Sequence, residues 1–171
     1  MREIDVLVIH HSAGPSGSVA SIREEHRKRG WADIGYHEVI GNGKGAPDGH
    51  IGKGRNHSEV GAGVFGANTG KLHVCLIGNF AAGDAGYSGP PSAAQLDALG
   101  HWIMVNCKRY EVPTTNVRGH KEVAIPGHGT LCPGFKDTTL VQIRRWAHMR
   151  LAGRESASLS AWLNANCPKC L

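Results

Sequence analysis

A short run of branched apolar residues near the start of the chain limits the fold more than any other feature. Residues 4–9 read IDVLVI, and His10 and His11 follow directly. A run that is almost wholly apolar and rich in β-branched side chains is typical of a central strand that is buried on both faces. The run is too short for a membrane span or for the apolar core of a signal peptide. We therefore expect a strand in the middle of a sheet, a mature chain that starts at Met1, and no membrane span.

Strand and helix patterns alternate along the rest of the chain, which predicts one mixed α/β domain. Ser21 with Glu24 has the spacing of a capping box in the first helix, as does Ser92 with Gln95 in the second. We expect Leu140, Ile143 and Ala147 of the third helix to face inward. The predicted elements are strands at 34–40, 50–51, 72–80 and 116–119, helices at 18–29, 92–107 and 137–151, and one or two helical turns at 159–164.

The composition indicates metal or proton chemistry. The chain holds 11 His and 5 Cys beside only 14 acidic residues, and its formal charge is +5. From residue 136 to the end there are six Lys or Arg and two acidic residues, with Arg144, Arg145 and Arg150 on one predicted helix. This basic end indicates attraction to an anionic surface or, equally, a solvated helix face. No zinc finger, RNA-binding signature or basic stretch with interleaved aromatic residues is present, so we expect no nucleic-acid partner.

Two histidines and one cysteine form a candidate metal site. A catalytic zinc usually takes three protein ligands from His, Cys or a carboxylate and leaves its fourth position for water. His10 follows the buried strand, His120 follows the predicted strand at 116–119, and Cys132 lies in a Gly- and Pro-rich loop at 127–134. The alternative from chemistry alone is a pair of ordinary surface histidines and a buried thiol.

Six sequence blocks, in order, resemble a known family of enzymes. The blocks are VLVIHHSAG, RGWADIGYHEVI, DGHIGKGR, VGAGVFGANTGKLHVCLIGNF, PSAAQLDAL and GHKEVAIPGHGTLCPG. Together they resemble the zinc-dependent N-acetylmuramoyl-L-alanine amidases, which include small phage endolysins and peptidoglycan recognition proteins. The resemblance spans residues 4–146. It implies a mixed α/β fold with a central mixed β-sheet flanked by helices. It also implies a catalytic domain at 1–153 and a short tail at 154–171 that is too short for a separate wall-binding domain.

The resemblance also implies roles for five residues. His10, His120 and Cys132 take the positions of the family's ligands for one Zn²⁺ per chain, and a metal-bound Cys132 is not expected in a disulfide. Cys is one of two family options at this position, and Asp is the other. Tyr36 takes the position of a catalytic tyrosine beside the zinc-bound water. Thr130 takes a position where many members have Lys, and we assign it to binding of the oxyanion.

Two further positions are candidate substrate contacts. The resemblance places Asn68 where members contact the muropeptide, and His128 lies in a segment that looks longer than in compact members. The chain departs from the family at Gly63, where many members have His. The corresponding substrate contact is then missing or supplied by His50, His57 or His128, for each of which a plain surface role is the alternative.

The activity that the resemblance implies is hydrolysis of the amide bond between N-acetylmuramic acid and L-alanine in bacterial peptidoglycan. We expect a monomeric phage endolysin that stays in the host cytoplasm until its release, then binds the peptide stem of the muropeptide and lyses the cell wall. One alternative is a cytosolic amidase that recycles soluble muropeptides. Another is a non-catalytic peptidoglycan-binding module, although such members commonly lose a ligand or the site tyrosine, and this chain keeps them.

The four remaining cysteines are not expected to take part in catalysis. Cys75 lies in a predicted buried strand and Cys107 on the inner face of a predicted helix, which indicates inert core thiols. Cys167 and Cys170 form a single CPKC motif near the end of the chain. A single CxxC has no second half with which to form a zinc knuckle, so we expect no function, a terminal disulfide or an intermolecular bridge.

Overall fold

The computed structural model describes residues 2–169 and contains one five-stranded mixed sheet. The strands are β1 Val6–His11, β2 Glu38–Ile40, β3 Ile51–Lys53, β4 Lys71–Leu76 and β5 Val117–Gly119. Their order across the sheet is β3-β2-β4-β1-β5. The strand β1 pairs in parallel with β4 on one side and β5 on the other, and β3 is an antiparallel edge strand on β2. The predicted central strand is confirmed, because Leu7, Val8 and Ile9 are fully buried.

Helices cover the two faces of the sheet unequally. They are α1 Val19–Lys28, α2 Ala93–Tyr110, α3 Asp137–Leu151 and α4 Leu159–Asn166. The larger core joins one face of the sheet to α2, α3 and α4, and a smaller core on the other face includes Ile22 of α1. Side chains alternate along a strand. In β4, Leu72, Val74 and Leu76 face the larger core, and Cys75 belongs to the smaller one.

Parallel pairing brings the ends of β1 and β5 to the same edge of the sheet. In the register of these strands, Ile9 lies opposite Gly119. His10 and His120, each the next residue along, are therefore neighbours at this edge. The close packing behind them requires a glycine at 119, since a Cβ there would lie 2.8 Å from side-chain atoms of Leu140 and Pro133. The topology thus places two of the predicted ligands side by side.

One predicted helix cap and two predicted strand boundaries were wrong. The first helix is capped by Ser18, whose side chain accepts from the Ser21 backbone N–H while Ser21 bonds back, so the predicted box at Ser21 and Glu24 is not used. The second strand starts at Glu38 instead of 34. The Arg55 guanidinium donates to the backbone carbonyls of Asp33 and Ile34, so these carbonyls do not take part in strand pairing. The strand predicted at 72–80 spans Lys71–Leu76.

The C-terminal segment joins the larger core. Leu159, Trp162 and Leu163 of α4 are buried there with Trp146 of α3. Gly100 of α2 allows this close approach, because a Cβ would lie 2.8 Å from the Trp146 ring and 3.0 Å from Leu159. The prediction of helical turns at 159–164 is confirmed by a helix of eight residues. The division of the chain at residue 153 stays a prediction.

The third helix was predicted correctly in its bounds but not in its basic face. Leu140, Ile143 and Ala147 are buried as expected. Arg144 does not belong to an outward basic face, because its guanidinium donates to the Val117 carbonyl at 3.1 Å and pairs with Glu122 at 3.0 Å. Packing of α3 against β5 brings this carboxylate within reach. Among the described helices, none combines the length and the hydropathy needed to cross a bilayer.

The cysteines follow the predictions where the structure describes them. Cys75, Cys107 and Cys132 are buried and free of disulfides. Burial raises the pKa of Cys107 to about 11, which keeps this thiol protonated and inert. Cys167 is disulfide-bonded. Cys170 lies outside the described residues, so the remaining alternatives for the CPKC motif stay predictions.

Candidate active site

Three potential metal ligands converge at the edge of the sheet where β1 and β5 end. One ligand atom each from His10, His120 and Cys132 lies within 4.8 Å of the others. His10 comes from β1, His120 begins the helical turn after β5, and Cys132 comes from the loop that leads to α3. The structure therefore brings together all three residues that the sequence proposed as ligands.

The loop that carries Cys132 is hydrogen-bonded to β1 and to the helical turn that follows β5. The Lys121 backbone N–H donates to the Cys132 carbonyl at 2.8 Å, and the Lys121 ammonium donates to the Phe135 carbonyl at 2.6 Å. The His11 backbone N–H donates to the Cys132 sulfur at 3.3 Å. These bonds hold the thiol over the end of β1.

His10 presents its two ring nitrogens to different partners. Its Nδ1 lies 3.7 Å from the Cys132 sulfur, and its Nε2 lies 3.0 Å from Nδ1 of His73. Burial and the nearby His73 and His120 hold the pKa of His10 well below its usual value. The imidazole is therefore neutral near pH 7, which is the form that binds a metal. Its strand neighbour His11 points to the other face, where its Nδ1 accepts from the Phe80 backbone N–H.

The donor set suits zinc. Two imidazoles and one thiolate form a common ligand set for catalytic zinc, whereas calcium and magnesium prefer oxygen ligands. Burial raises the pKa of Cys132 to about 12, and only the hydrogen bond from His11 opposes this. A coordinated cation reverses that effect and binds the deprotonated thiol. The residues present therefore fit a zinc ion with a fourth position open.

Tyr36 stands beside this site, as predicted. Its ring centroid lies 5.0 Å from that of His10, and the His26 ring packs on its other side at 5.5 Å. Burial, followed by the neighbouring Cys75 and Cys132, raises the pKa of Tyr36 well above its usual value. The phenol therefore keeps its proton at neutral pH, and its hydroxyl forms a side-chain hydrogen bond with the buried Cys75 thiol.

Thr130 lies on the loop two residues before Cys132. Its hydroxyl oxygen accepts the Cys132 backbone N–H at 3.1 Å, which leaves its own O–H free to donate elsewhere. The side chain is half-buried. This geometry is compatible with the predicted oxyanion role, which stays a prediction.

A cleft of about 360 Å³ opens next to His120 and includes His128. The His128 ring stacks on Phe65 with centroids 4.1 Å apart, and both side chains are exposed. The structure therefore brings His128 to the rim of the site. Asn68 is placed differently, because its amide bonds both the N–H and the carbonyl of Val64 and closes the loop at 64–68. Its predicted contact with substrate stays a prediction.

His50 and His57, which were considered as replacements for the substrate contact missing at Gly63, lie away from the three ligands. His57 bonds Glu38 and the Tyr110 hydroxyl and lines a separate pocket. His50 is exposed in the turn before β3. The histidine that the sequence analysis missed is His73, which is fully buried against His10. Its signal was a histidine within an otherwise apolar strand, a polar group that needs a buried partner.

Comparison with known proteins agrees with the site. The chain matches the N-acetylmuramoyl-L-alanine amidase family profile over residues 1–135. The endolysin of Escherichia phage T7 is 32% identical over 146 residues, which cover 83% of this chain and 84% of that protein.

Solved structures extend the likeness to most of the fold. The amidase LysC from Clostridium intestinale URNW is 29% identical and superposes with a TM-score of 0.59, covering 78% of each chain. The Ph2119 endolysin of a Thermus scotoductus MAT2119 bacteriophage is 26% identical with a TM-score of 0.67, covering 84% of this chain and 86% of its own. These matches confirm the predicted mixed α/β fold, the amidase activity and the endolysin class. The chain belongs to the N-acetylmuramoyl-L-alanine amidase family.

Proposed function

We propose that this protein is a zinc-dependent phage endolysin that cleaves the bond between the lactyl group of N-acetylmuramic acid and L-alanine in peptidoglycan. The observation that carries the proposal is the convergence of His10, His120 and Cys132 within 4.8 Å at the end of the central strand. Family membership supports the reaction, and the T7 endolysin supports the biological role. The ligand set supports one zinc ion per chain.

The three ligands would hold the metal at the floor of the cleft. When bound, zinc acts as a Lewis acid that lowers the pKa of a water and polarises a carbonyl. The chain itself supplies a rigid frame, since His10 is only 1% exposed and the backbone around Cys132 is hydrogen-bonded to its neighbours. A rigid frame orients the reacting groups before the substrate arrives.

Two hydroxyl groups would assist the reaction. Tyr36 keeps its proton because burial raises its pKa, so it donates a hydrogen bond beside the metal and takes part in proton transfer. Thr130 donates its free O–H to the developing oxyanion. A threonine brings no positive charge to this position, in contrast to the lysine that many members have.

The cleft beside His120 is the proposed site for the peptide stem. His128 and Phe65 form an exposed stacked pair at its rim, and Leu131 is 69% exposed next to the ligand cysteine. Exposed apolar side chains around a polar site are typical of a binding surface. Asn68 shapes this wall through its bonds to Val64, and a direct contact with the muropeptide is part of the proposal.

The setting in the infected cell completes the proposal. The protein acts as a monomer that accumulates in the host cytoplasm and reaches the wall after release. The exposed Arg145 and Arg150 of α3 favour approach to an anionic envelope surface by long-range attraction.

A digest of purified peptidoglycan tests the proposed reaction. The zinc-loaded protein should free new N-terminal alanine, and a chelator should stop the release. His10→Ala and Cys132→Ala should abolish it and lower zinc occupancy. Cys107→Ala is the matched control, because Cys107 is also a buried free thiol but lies in α2 among the core residues.

The same digest separates the alternatives. A binding module would retain the wall fragments and release no alanine. A recycling amidase would cleave soluble anhydro-muropeptides and leave intact walls uncut. Full activity of Cys132→Ala in the presence of the chelator would refute the zinc mechanism.

A further inference from the structure

His73 lies directly behind the metal site on the neighbouring strand. In the pairing of β1 with β4, Val8 lies opposite His73, and His10 lies opposite Cys75. Since Leu72 and Val74 face the larger core, His73 faces the opposite side of the sheet. The His73 ring is fully buried and its Nδ1 lies 3.0 Å from Nε2 of His10. The sheet register therefore builds this contact into the core.

Backbone hydrogen bonds fix the surroundings of the His73 ring. The His73 N–H donates to Nδ1 of His37 at 3.0 Å, so this nitrogen carries no proton. The proton of a neutral His37 is then on Nε2, which donates to the Glu59 carbonyl at 3.1 Å. The His37 and His73 rings stack within 6° of parallel. The stacked His37 ring therefore helps to hold the His73 ring in place.

The His10–His73 contact accepts a proton on either nitrogen, and a metal beside Cys132 selects one of the two arrangements. Nδ1 of His10 faces the Cys132 sulfur, so a metal there needs the lone pair of Nδ1 and leaves the proton on Nε2. That N–H then donates to Nδ1 of His73, which places the His73 proton on its own Nε2. Nε2 of His73 is buried and has no hydrogen-bond partner in the part of the chain that the structure describes. A buried N–H without an acceptor is costly, which indicates that this arrangement serves the site.

Gly63 leaves room for this contact. A Cβ at residue 63 would lie 2.9 Å from Nε2 of His10 and 2.9 Å from Nδ1 of His73. Any other side chain at 63, including the histidine that many family members have there, would displace one of the two rings. The departure from the family at Gly63 is therefore matched by the presence of His73.

We infer that His73 is a positioning residue that holds His10 in the tautomer with its proton on Nε2 and so prepares Nδ1 to bind the metal, with Gly63 kept small to admit it. This inference rests on the proposed zinc site. It does not place His73 in contact with substrate. A hydrogen bond to the second nitrogen of a ligand histidine commonly changes metal affinity or activity by 10- to 100-fold.

Zinc affinity measured by competition with a chelator tests the inference. His73→Phe keeps a flat ring but loses the acceptor, and we expect it to weaken zinc binding about 10- to 100-fold. His73→Asn offers an amide oxygen near the position of Nδ1 and should recover most of the loss. Gly63→Ala should weaken binding as well, whereas Gly14→Ala should not, since a Cβ there meets no atom closer than 3.9 Å.

Nitrogen NMR of the zinc-loaded wild type gives a readout that does not depend on folding of a variant. We expect a proton on Nε2 of His10 and none on Nδ1 of His73. A protonated His73 Nδ1, or wild-type zinc affinity in His73→Phe, would overturn the inference. The proposed function fails separately, if the wild type binds zinc with the expected tautomer but frees no alanine from peptidoglycan.

Discussion

Zinc binding should release a proton from Cys132, and replacing this thiol with a carboxylate should abolish that release. The pKa of Cys132 is about 12 in the buried site, so at pH 7 the thiol is protonated in essentially every molecule. It binds zinc as the thiolate. His10 and His120, whose pKa values are both lowered by burial, are already neutral and have little to release. One proton per zinc is therefore expected from this ligand set.

The variant Cys132→Asp isolates the contribution of the thiol. An aspartate has an ordinary pKa of about 3.9, far below that of the buried thiol, and binds zinc without losing a proton at pH 7. Coordinated water contributes equally to both proteins, so the wild type should release about one proton more than the variant. Because of this extra proton, each increase of one pH unit should raise the zinc affinity of the wild type about tenfold more than that of the variant, which corresponds to about 1.4 kcal/mol of binding free energy.

Calorimetry in buffers with different protonation enthalpies measures this difference. The slope of the observed heat against buffer enthalpy gives the number of protons released. Cys107→Ala should behave like the wild type, because Cys107 lies in the core away from the ligands. Equal proton release by the wild type and Cys132→Asp would show that Cys132 does not bind zinc as a thiolate, and would refute the ligand assignment.

Three further predictions concern stability and catalysis. Burial lowers the pKa of His37 to about 4, so the unfolded chain binds this proton more tightly and stability is lost as the pH falls from 6.5 towards 4. Between pH 8 and pH 5, His37 should lower the free energy of unfolding by about 2 kcal/mol. Urea denaturation with a chelator present should show that His37→Asn loses about 2 kcal/mol less stability than the wild type over this range. An equal loss in the two proteins would contradict the burial argument. Leu163→Ala should destabilise the protein by about 2–5 kcal/mol, because Leu163 is fully buried in α4. Asn164→Ala is the control, since Asn164 is exposed on the same helix. A near-zero effect of Leu163→Ala in urea denaturation would mean that α4 is not part of the core. Tyr36→Phe should lower kcat by about 10²- to 10⁴-fold with little change in zinc affinity, and wild-type turnover would exclude Tyr36 from proton transfer.

Elements with strong local signals were predictable from the sequence. The helix α2 begins after Ser92 as expected, because the Ser92 hydroxyl accepts from the Gln95 backbone N–H and the Gln95 side-chain oxygen accepts from the Ser92 backbone N–H. The bounds of α1 were predicted correctly, but its capping box was assigned to the wrong pair for a related reason. Ser21 itself provides the return bond to Ser18, so a pair of serines replaces the usual serine and glutamate.

Features that depend on distant contacts were not predictable. The strand β2 starts late because Arg55, about twenty residues further on, binds the carbonyls of the preceding segment. The sequence predicted Arg144 on a solvated helix face, whereas the fold places Glu122 within ion-pair distance of its guanidinium. Neither interaction can be predicted from the local sequence pattern.

The same distinction applies to the site. His10, His120 and Cys132 were candidate ligands from their residue types and positions, and the resemblance to a family supported them and added Tyr36. His73 lies in one of those blocks but was interpreted as part of a buried strand. Only the pairing of β1 with β4 shows that its ring meets His10. The sequence indicated the ligands, and the structure was needed to show which residue contacts His10 from behind.

Release of N-terminal alanine from purified peptidoglycan is the decisive measurement for the zinc site. We expect release by the zinc-loaded wild type, no release after removal of zinc with a chelator, recovery when zinc is restored, and no release by Cys132→Ala under any of these conditions. Release that persists after zinc has been removed, or that persists in Cys132→Ala, would contradict the assignment of His10, His120 and Cys132 as the catalytic metal site.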